Sequence, residues 1–488
     1  MEYRNNATRL RREVLIRLAE AYDELETRVD RIPYAMRPLS GEYYRCCVYK
    51  DRAILRYRVI AALGFALEDD EDDFTPLKEY AARALERQKP AASDLTVLEL
   101  ACKGCVQAHY QVTDACLGCV ARPCQEVCPF KAVTIREGRS IIDPKLCRSC
   151  GKCQQVCPYH AITRIPVPCE EACPVGAIHK SGSGKATIDH AACISCGRCL
   201  RECPFGAVME RSQIIDVLGA LKSGREVVAL LAPAVAGQFP GTYGQLVTAL
   251  IGLNFAAVYE VAEGAVATAV AEAEEFRHKL AAGQSLMTTS CCPAYVAAVD
   301  KHLPELKPLV SDTPSPMIMS ARQVASERPQ ALKVFIGPCI AKKQEARLSG
   351  LIDYVLNFEE LGAMLVGHAI QVEDCIETRT EQAGALGQGF ALAGGVAAAV
   401  QQLVGEAVRP VGVAGLESKT MKLLGAYARG RCPGNLLEVM ACPGGCVGGP
   451  GTVVSPSPKR PENRRRWPRR RFFANPVIIH WRFTPDRL

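Results

Sequence analysis

The feature that most constrains this chain is the spacing of its 25 cysteines. Cys116, Cys119, Cys124 and Cys128 read C-x2-C-x4-C-x3-C-P. Cys147, Cys150, Cys153 and Cys157 read C-x2-C-x2-C-x3-C-P, and Cys193, Cys196, Cys199 and Cys203 repeat that pattern. Cys169 and Cys173 give the half motif C-x3-C-P, and Cys102 and Cys105 give C-x2-C. These sixteen thiols suffice for four 4Fe–4S cubanes. In such loops three cysteines grip one face of a cube, while the fourth, before proline, reaches the other cluster of a pair. On that logic Cys116, Cys119 and Cys124 share a cluster with Cys157. Cys147, Cys150 and Cys153 share one with Cys128, and Cys193, Cys196 and Cys199 share one with Cys173. Cys102, Cys105, Cys169 and Cys203 remain for a fourth. Structural zinc also uses C-x2-C pairs, but three C-P endings at this spacing argue against it.

Thiols in this number and spacing suit a reducing, cytoplasmic setting rather than a disulfide framework. The N-terminus (MEYRNNATRLRREV) is charged and lacks an apolar signal core. No stretch reaches the ~18 apolar residues of a membrane helix. The formal charge of +7 resides in residues 451–488, where ten Lys/Arg face two Asp/Glu. The rest of the chain is near neutral, so no general basic surface points to nucleic acid.

Four regions follow along the chain. Residues 1–100 carry helical periodicity, with an acidic break at Glu68–Asp73. Residues 101–212 hold the cysteine groups above. From 213 to 450, short apolar strands such as Val227–Leu231 and Leu332–Ile336 alternate with helical stretches, an α/β pattern. Residues 451–488 are rich in Arg and Pro and read as a tail, disordered or divergent.

The α/β region holds three cysteine motifs of a different kind. They are Thr289-Ser290-Cys291-Cys292-Pro293, then Pro338-Cys339-Ile340-Ala341-Lys342-Lys343-Gln344-Glu345, then Glu438-Val439-Met440-Ala441-Cys442-Pro443-Gly444-Gly445-Cys446-Val447-Gly448-Gly449. Thiolates from three separate segments are placed to assemble one cluster where parts of the fold meet. The glycines of the last motif allow close backbone approach to an inorganic body.

The cysteine-dense segment resembles bacterial two-cluster ferredoxins. The three later motifs resemble the signatures TSCCP, PCxxKxxE and ExMxCxGGCxxGG of FeFe-hydrogenases, and the combined resemblance covers roughly residues 100–450. It implies an α/β catalytic domain of two lobes with the cluster between them, preceded by ferredoxin-like α+β iron–sulfur domains and a helical N-terminal region. It also implies an H-cluster, a 4Fe–4S cubane joined to a two-iron centre with CO, CN and bridging dithiolate ligands, besides about four accessory 4Fe–4S clusters. The expected activity is reversible interconversion of hydrogen with protons and electrons. The expected partners are ferredoxin or another low-potential carrier and the maturation proteins that build the two-iron centre, with no membrane and no nucleic acid. The alternatives are a hydrogen sensor or a non-catalytic iron–sulfur relative of the same fold.

Residue by residue, the resemblance gives Cys292, Cys339, Cys442 and Cys446 to the cubane, with Cys446 bridging to the two-iron centre. Cys291 passes protons, Lys342 bonds an iron-bound cyanide and Met440 packs near the bridging carbonyl. Ala232, Pro233 and Ala234 line the dithiolate. The family's proton route matches Glu260 and Glu263, three apart, with Ser311 and Glu345. Cys46, Cys47, Cys375 and Cys432 are expected to be plain thiols, and His109 is expected not to be a ligand. The chain departs from the family at Gly337, Ala294 and Tyr295, where Met, Gly and Trp are common. It departs again after Gly449, where closing helices normally follow.

Overall fold

The computed structural model describes residues 5–68, 74–90, 93–105, 109–380 and 382–454. Most of the tail, residues 455–488, lies outside them. Residues 451–454 belong to the packed body rather than to the tail: Thr452 and Val453 are buried, and the Val453 amide donates to Gln238 Oε1 at 2.8 Å.

The catalytic region holds two parallel sheets. In the first the order is Ala257–Glu260, Val227–Leu231, Leu332–Ile336 and Tyr354–Leu356, all parallel. In the second the strands Met287–Thr288 and Pro410–Ala414 flank Leu436–Met440, again in parallel. Val227–Leu231, Leu332–Ile336 and Leu436–Met440 are buried at every position, as expected of parallel strands covered on both faces. Among the covering helices is Val261–Ala281, whose buried residues Val261, Ala265, Thr268, Glu272 and Phe276 recur every three to four positions. Among the described residues no helix is long and apolar enough to cross a membrane.

The cysteine-dense region forms two small units of hairpins and short helices, one nested in the other. His109–Val112 pairs with Ile162–Ile165, and Val133–Arg136 with Arg139–Ile142. This inner unit interrupts an outer one, in which Leu95–Val97 pairs with Val208–Glu210 and Ile178–Lys180 with Ala186–Ile188. The outer unit therefore begins inside the stretch expected to be helical to residue 100.

The N-terminal helices are not a separate body. Asn6–Ala21, Val48–Ala62 and Leu77–Glu86 share one core with the first catalytic sheet through Leu18, Leu55, Leu63 and Ala81. Arg12, fully buried, donates to Glu359 Oε1 at 2.9 Å and to the Val453 carbonyl at 2.9 Å. Arg11 grips the same carboxylate at 2.7 and 2.9 Å. Arg12→Ala is expected to cost on the order of 3 kcal/mol, because it removes the fully buried partner of Glu359 and frees the buried carbonyls of Thr452 and Val453. Arg11→Ala, which leaves Glu359 paired, is expected to cost about 1 kcal/mol; urea unfolding of the two variants checks the order.

Candidate active site

All three late cysteine motifs leave the carboxyl ends of parallel strands, where open α/β sheets present their ligand sites. Met287–Thr288 leads to Cys291 and Cys292, and Pro293 starts the next helix at its first turn, a position where proline's missing N–H is harmless. Leu332–Ile336 leads to Cys339 and to a helix beginning at Lys342. Leu436–Met440 leads to Cys442 and, through Gly444 and Gly445 at φ +78° and +94°, to Cys446. Val227–Leu231 leads to Ala232-Pro233-Ala234, and the Ala232 amide donates to the Ile336 carbonyl at 2.9 Å. At Gly449 a Cβ would stand 2.7 Å from the Pro338 carbonyl oxygen, so glycine there lets the second and third motifs touch.

These loops bring the half-buried Cys292, Cys339, Cys442 and Cys446 into one group of thiols. Burial pushes each of them up, that of Cys446 to about 11, and the thiols act electrostatically on one another. The Ala441 amide approaches Cys292 Sγ at 3.5 Å. Lys342, 8 % exposed, lies within electrostatic reach of Cys292, Cys339 and Cys446. It donates to Glu345 at 2.5 Å and to Ser315 Oγ at 3.0 Å. Beside it Lys343 is buried against Glu210 at 2.5 Å and Glu360 at 3.6 Å, which ties this helix to the last strand of the outer iron–sulfur unit. Cys291 and Met440 sit on the other side of the group, in an apolar nest with Ala265, Ala269 and Phe390. Tyr295, where Trp is common, is fully buried and donates to Thr288 Oγ1 at 2.8 Å.

The residues expected to form the proton route do not all stand together. Glu260 accepts from the Ala383 amide at 2.7 Å and from the Gln388 side chain, and Glu263 is exposed on the first turn of Val261–Ala281. The residue that faces Cys291 is Glu272, twelve residues beyond Glu260 and so about 18 Å along the helix. Burial pushes the Cys291 thiol well up, and Glu272 is the strongest charge acting on it. Glu272 itself is fully buried and pushed up to about 8, by burial first and then by Glu275 and Glu438. Its two oxygens have no hydrogen-bond partner among the described residues, although the Ser290 amide and the Ser311 hydroxyl come near enough to pull it down slightly. Ser311 donates to Glu275 at 2.6 Å. Glu275, which burial pushes up, is held below the usual range by Lys279 and by donors including Ser311 and Thr313. Lys279 pairs with Glu275 at 2.6 Å and with exposed Asp312 at 3.6 Å. Ser311 thus stands beside Glu272 and Glu275, whereas Glu345 bonds Lys342. The period of the helix could have found Glu272, since it falls on the same apolar stripe as Ala265 and Thr268.

The accessory cysteines gather in groups. One cavity of about 310 Å³ is lined by Cys128, Cys147, Cys150 and Cys153, and another of about 340 Å³ by Cys116, Cys119, Cys124 and Cys157. Cys173, Cys193, Cys196 and Cys199 are electrostatic neighbours. Cys169 and Cys203 are electrostatic neighbours, and they share with Cys102 and Cys105 a core that also takes in Cys173, Cys193 and Cys199. The first cysteine of a loop accepts from the amide two residues on: Gly104 to Cys102, Ser149 to Cys147 and Ser195 to Cys193, each at 3.4 Å. Those donors all have positive φ, between 52° and 59°. The cysteine before proline accepts from the amide four on, as in Ala177 to Cys173 at 3.2 Å and Ala207 to Cys203 at 3.4 Å. The short Cys102–Cys105 loop therefore has the backbone of the full motifs. Among the described residues no three His, Cys, Asp or Glu groups stand close enough to hold a single metal ion; a cubane needs its thiolates spread wider, around the outside of its core.

The third group adjoins the catalytic one. Cys196 is one of the charges acting on Cys442, and a Cβ on Gly197 would stand 2.7 Å from Ile340 and 2.8 Å from Pro450.

Residues 225–450 match the family described as Iron only hydrogenase large subunit, C-terminal domain. Residues 163–214 match the LdpA Fe-S cluster-binding domain, and residues 140–163 a 4Fe-4S binding domain. The chain is 31% identical over 308 residues to the periplasmic Fe hydrogenase large subunit of Nitratidesulfovibrio vulgaris, covering 50% of this chain and 73% of that protein. Iron hydrogenase 1 of Clostridium pasteurianum is 25% identical over 305 residues, 50% of this chain and 53% of that one. A 7Fe ferredoxin of Hydrogenibacillus schlegelii is 42% identical over 70 residues, 14% of this chain and 69% of the ferredoxin. Ferredoxin-like loops joined to a thiol-lined catalytic fold define an iron–sulfur oxidoreductase. The chain belongs to the FeFe-hydrogenase, or iron-only hydrogenase, family.

Proposed function

We propose that this chain catalyses the reversible interconversion of molecular hydrogen with protons and electrons, at an H-cluster set between its two parallel sheets. The observation that carries this reading is the convergence of Cys292, Cys339, Cys442 and Cys446 beside a buried ammonium, Lys342, with a fifth thiol, Cys291, left over. The residues fit the group. Four thiols from three loops would hold the cubane, and Cys446 would also reach the two-iron centre. The Ala232-Pro233-Ala234 turn and Met440 would close the space around it. The H-cluster supplies the metal chemistry of hydrogen when bound.

The chain's own residues do the rest. Lys342, fixed by Glu345 and Ser315, offers its remaining proton to an anionic ligand, and such a charge-assisted bond is strong in a buried site. Apolar Phe390, Ala265 and Ala269 exclude water around Cys291. Protons reach Cys291 from the surface through Asp312 and Lys279, then Glu275, Ser311 and Glu272. Electrons enter at the inner iron–sulfur unit, where Cys150 is exposed, and leave for the catalytic cubane from the cluster of Cys173, Cys193, Cys196 and Cys199. Ferredoxin or a similar low-potential carrier is the partner, and maturation proteins supply the two-iron centre. The compartment is the cytoplasm, where thiols stay reduced; fractionation of native cells decides this against the periplasmic setting named for one relative.

Infrared spectroscopy of protein matured with its assembly machinery tests the reading. Carbonyl and cyanide stretches together with hydrogen evolution from a reduced carrier are expected; their joint absence would reject it.

A further inference from the structure

The helix Val48–Ala62 places Arg58 against Met209 of the core that holds Cys102, Cys169, Cys199 and Cys203, within electrostatic reach of Cys203, and Arg58 is 2 % exposed. One guanidinium nitrogen donates to the Phe205 carbonyl at 3.5 Å, another meets Met209 Sδ at 3.3 Å, and Nε has no acceptor. Among the described residues no carboxylate bonds it. Asp51, two turns earlier on the same helix, is taken by the Tyr44 amide at 2.7 Å and by Arg37 at 3.4 Å. Arg45 donates to the same Phe205 carbonyl at 3.1 Å, and Arg11 is also near enough to disfavour the charge. Burial pulls Arg58 down to about 10, so it stays charged at neutral pH, and the strongest influence favouring that charge is the Cys203 thiol.

A buried cation without an acceptor for one of its protons and without an ion partner is unstable unless an anion faces it. Among the described residues Asp51 favours that charge only from a distance, whereas four thiolates around a cubane would face it directly. We propose that Arg58 is the buried counter-cation of the cluster held by Cys102, Cys105, Cys169 and Cys203, and that it raises the reduction potential of that cluster. Charge near a cluster is one of the factors that set its potential, and reduction adds the negative charge that Arg58 balances. The cluster becomes the resting place for an electron beside the cluster that feeds the catalytic cubane. The N-terminal helices, outside the matched family segments, thereby gain a role: they deliver a charge to the electron chain.

The inference rests on the fourth-cluster reading, so two variants separate the failures. Redox-poised electron paramagnetic resonance on the holoprotein gives the cluster midpoints, and iron analysis gives the cluster content. Cys169→Ala is expected to lose one cluster's iron; unchanged iron would remove the fourth cluster and the inference with it. Arg58→Gln is expected to keep its iron and to move one midpoint to lower potential by at least about 59 mV, a tenfold change in the reduced-to-oxidised ratio for one electron. Arg58→Lys is expected to restore most of that shift. Arg58→Met keeps the apolar stem packed and takes the place of Gln should the amide variant not fold. Wild-type midpoints in an iron-replete Arg58→Gln or Arg58→Met would overturn the counter-cation.

Discussion

Cys291→Ser is expected to keep the infrared bands of a matured H-cluster while hydrogen turnover falls by about 10²- to 10⁴-fold, the range a positioned proton donor contributes. The reason is geometric. Cys291 belongs to the same strand-to-helix turn as Cys292, and its side chain lies with Met440, Phe390 and the small residues of the long helix, within electrostatic reach of Cys292 and Cys446. Serine fills nearly the same space, so cluster assembly stands. Its hydroxyl is far less acidic than a thiol, so in a dry site it is a poor relay between Glu272 and the cluster. Turnover within a few-fold of wild type, with the bands present, would remove Cys291 from the route.

Glu272→Gln should produce a loss of similar size, on the order of 10²- to 10³-fold, with a signature in stability that a merely disruptive change would not give. Burial raises the folded-state pKa of Glu272 to about 8, whereas an unfolded glutamate titrates near ~4.3. The folded protein therefore holds a proton that the unfolded chain releases across that window. Its stability contribution is fully present below the unfolded value and is lost as pH rises through the folded one. Glutamine carries no such proton, so the variant is expected to gain denaturant resistance relative to wild type between pH 6 and pH 9 (roughly the upper part of that window) while being nearly inactive. An inactive variant without this relative gain would mean that Glu272 is not the buried neutral acid described above. Glu260→Gln, by contrast, is expected to leave turnover unchanged within a few-fold, since its carboxylate bonds Ala383 and Gln388.

How much of this was legible in the sequence follows from how local each feature is. The cysteine loops were readable because each full motif lies within eleven to thirteen consecutive residues, and proline after the last cysteine marks its exit. The three catalytic motifs were readable for the same reason, each being one strand end and its turn. The proton pair was not decided by the sequence, because Glu260 and Glu263, like Glu272 and Glu275, lie three apart. Only the length and direction of Val261–Ala281 decide which pair reaches Cys291. The N-terminal helices showed an apolar stripe but not its partner, since a stripe encodes burial and not what buries it. Leu95–Val97 is three residues long, and its mate Val208–Glu210 stands more than a hundred residues away, beyond any local signal.

The nesting of one iron–sulfur unit inside the other makes the inner one a cassette. Its first and last strands run side by side, His109 opposite Ile165, so the chain leaves and returns at neighbouring points about 5 Å apart. A single deletion closed by a few residues could take out two relay stations and leave the outer unit's fold uncut. The electron wire can thus be shortened or re-ended by insertion, without redesigning the enzyme it serves.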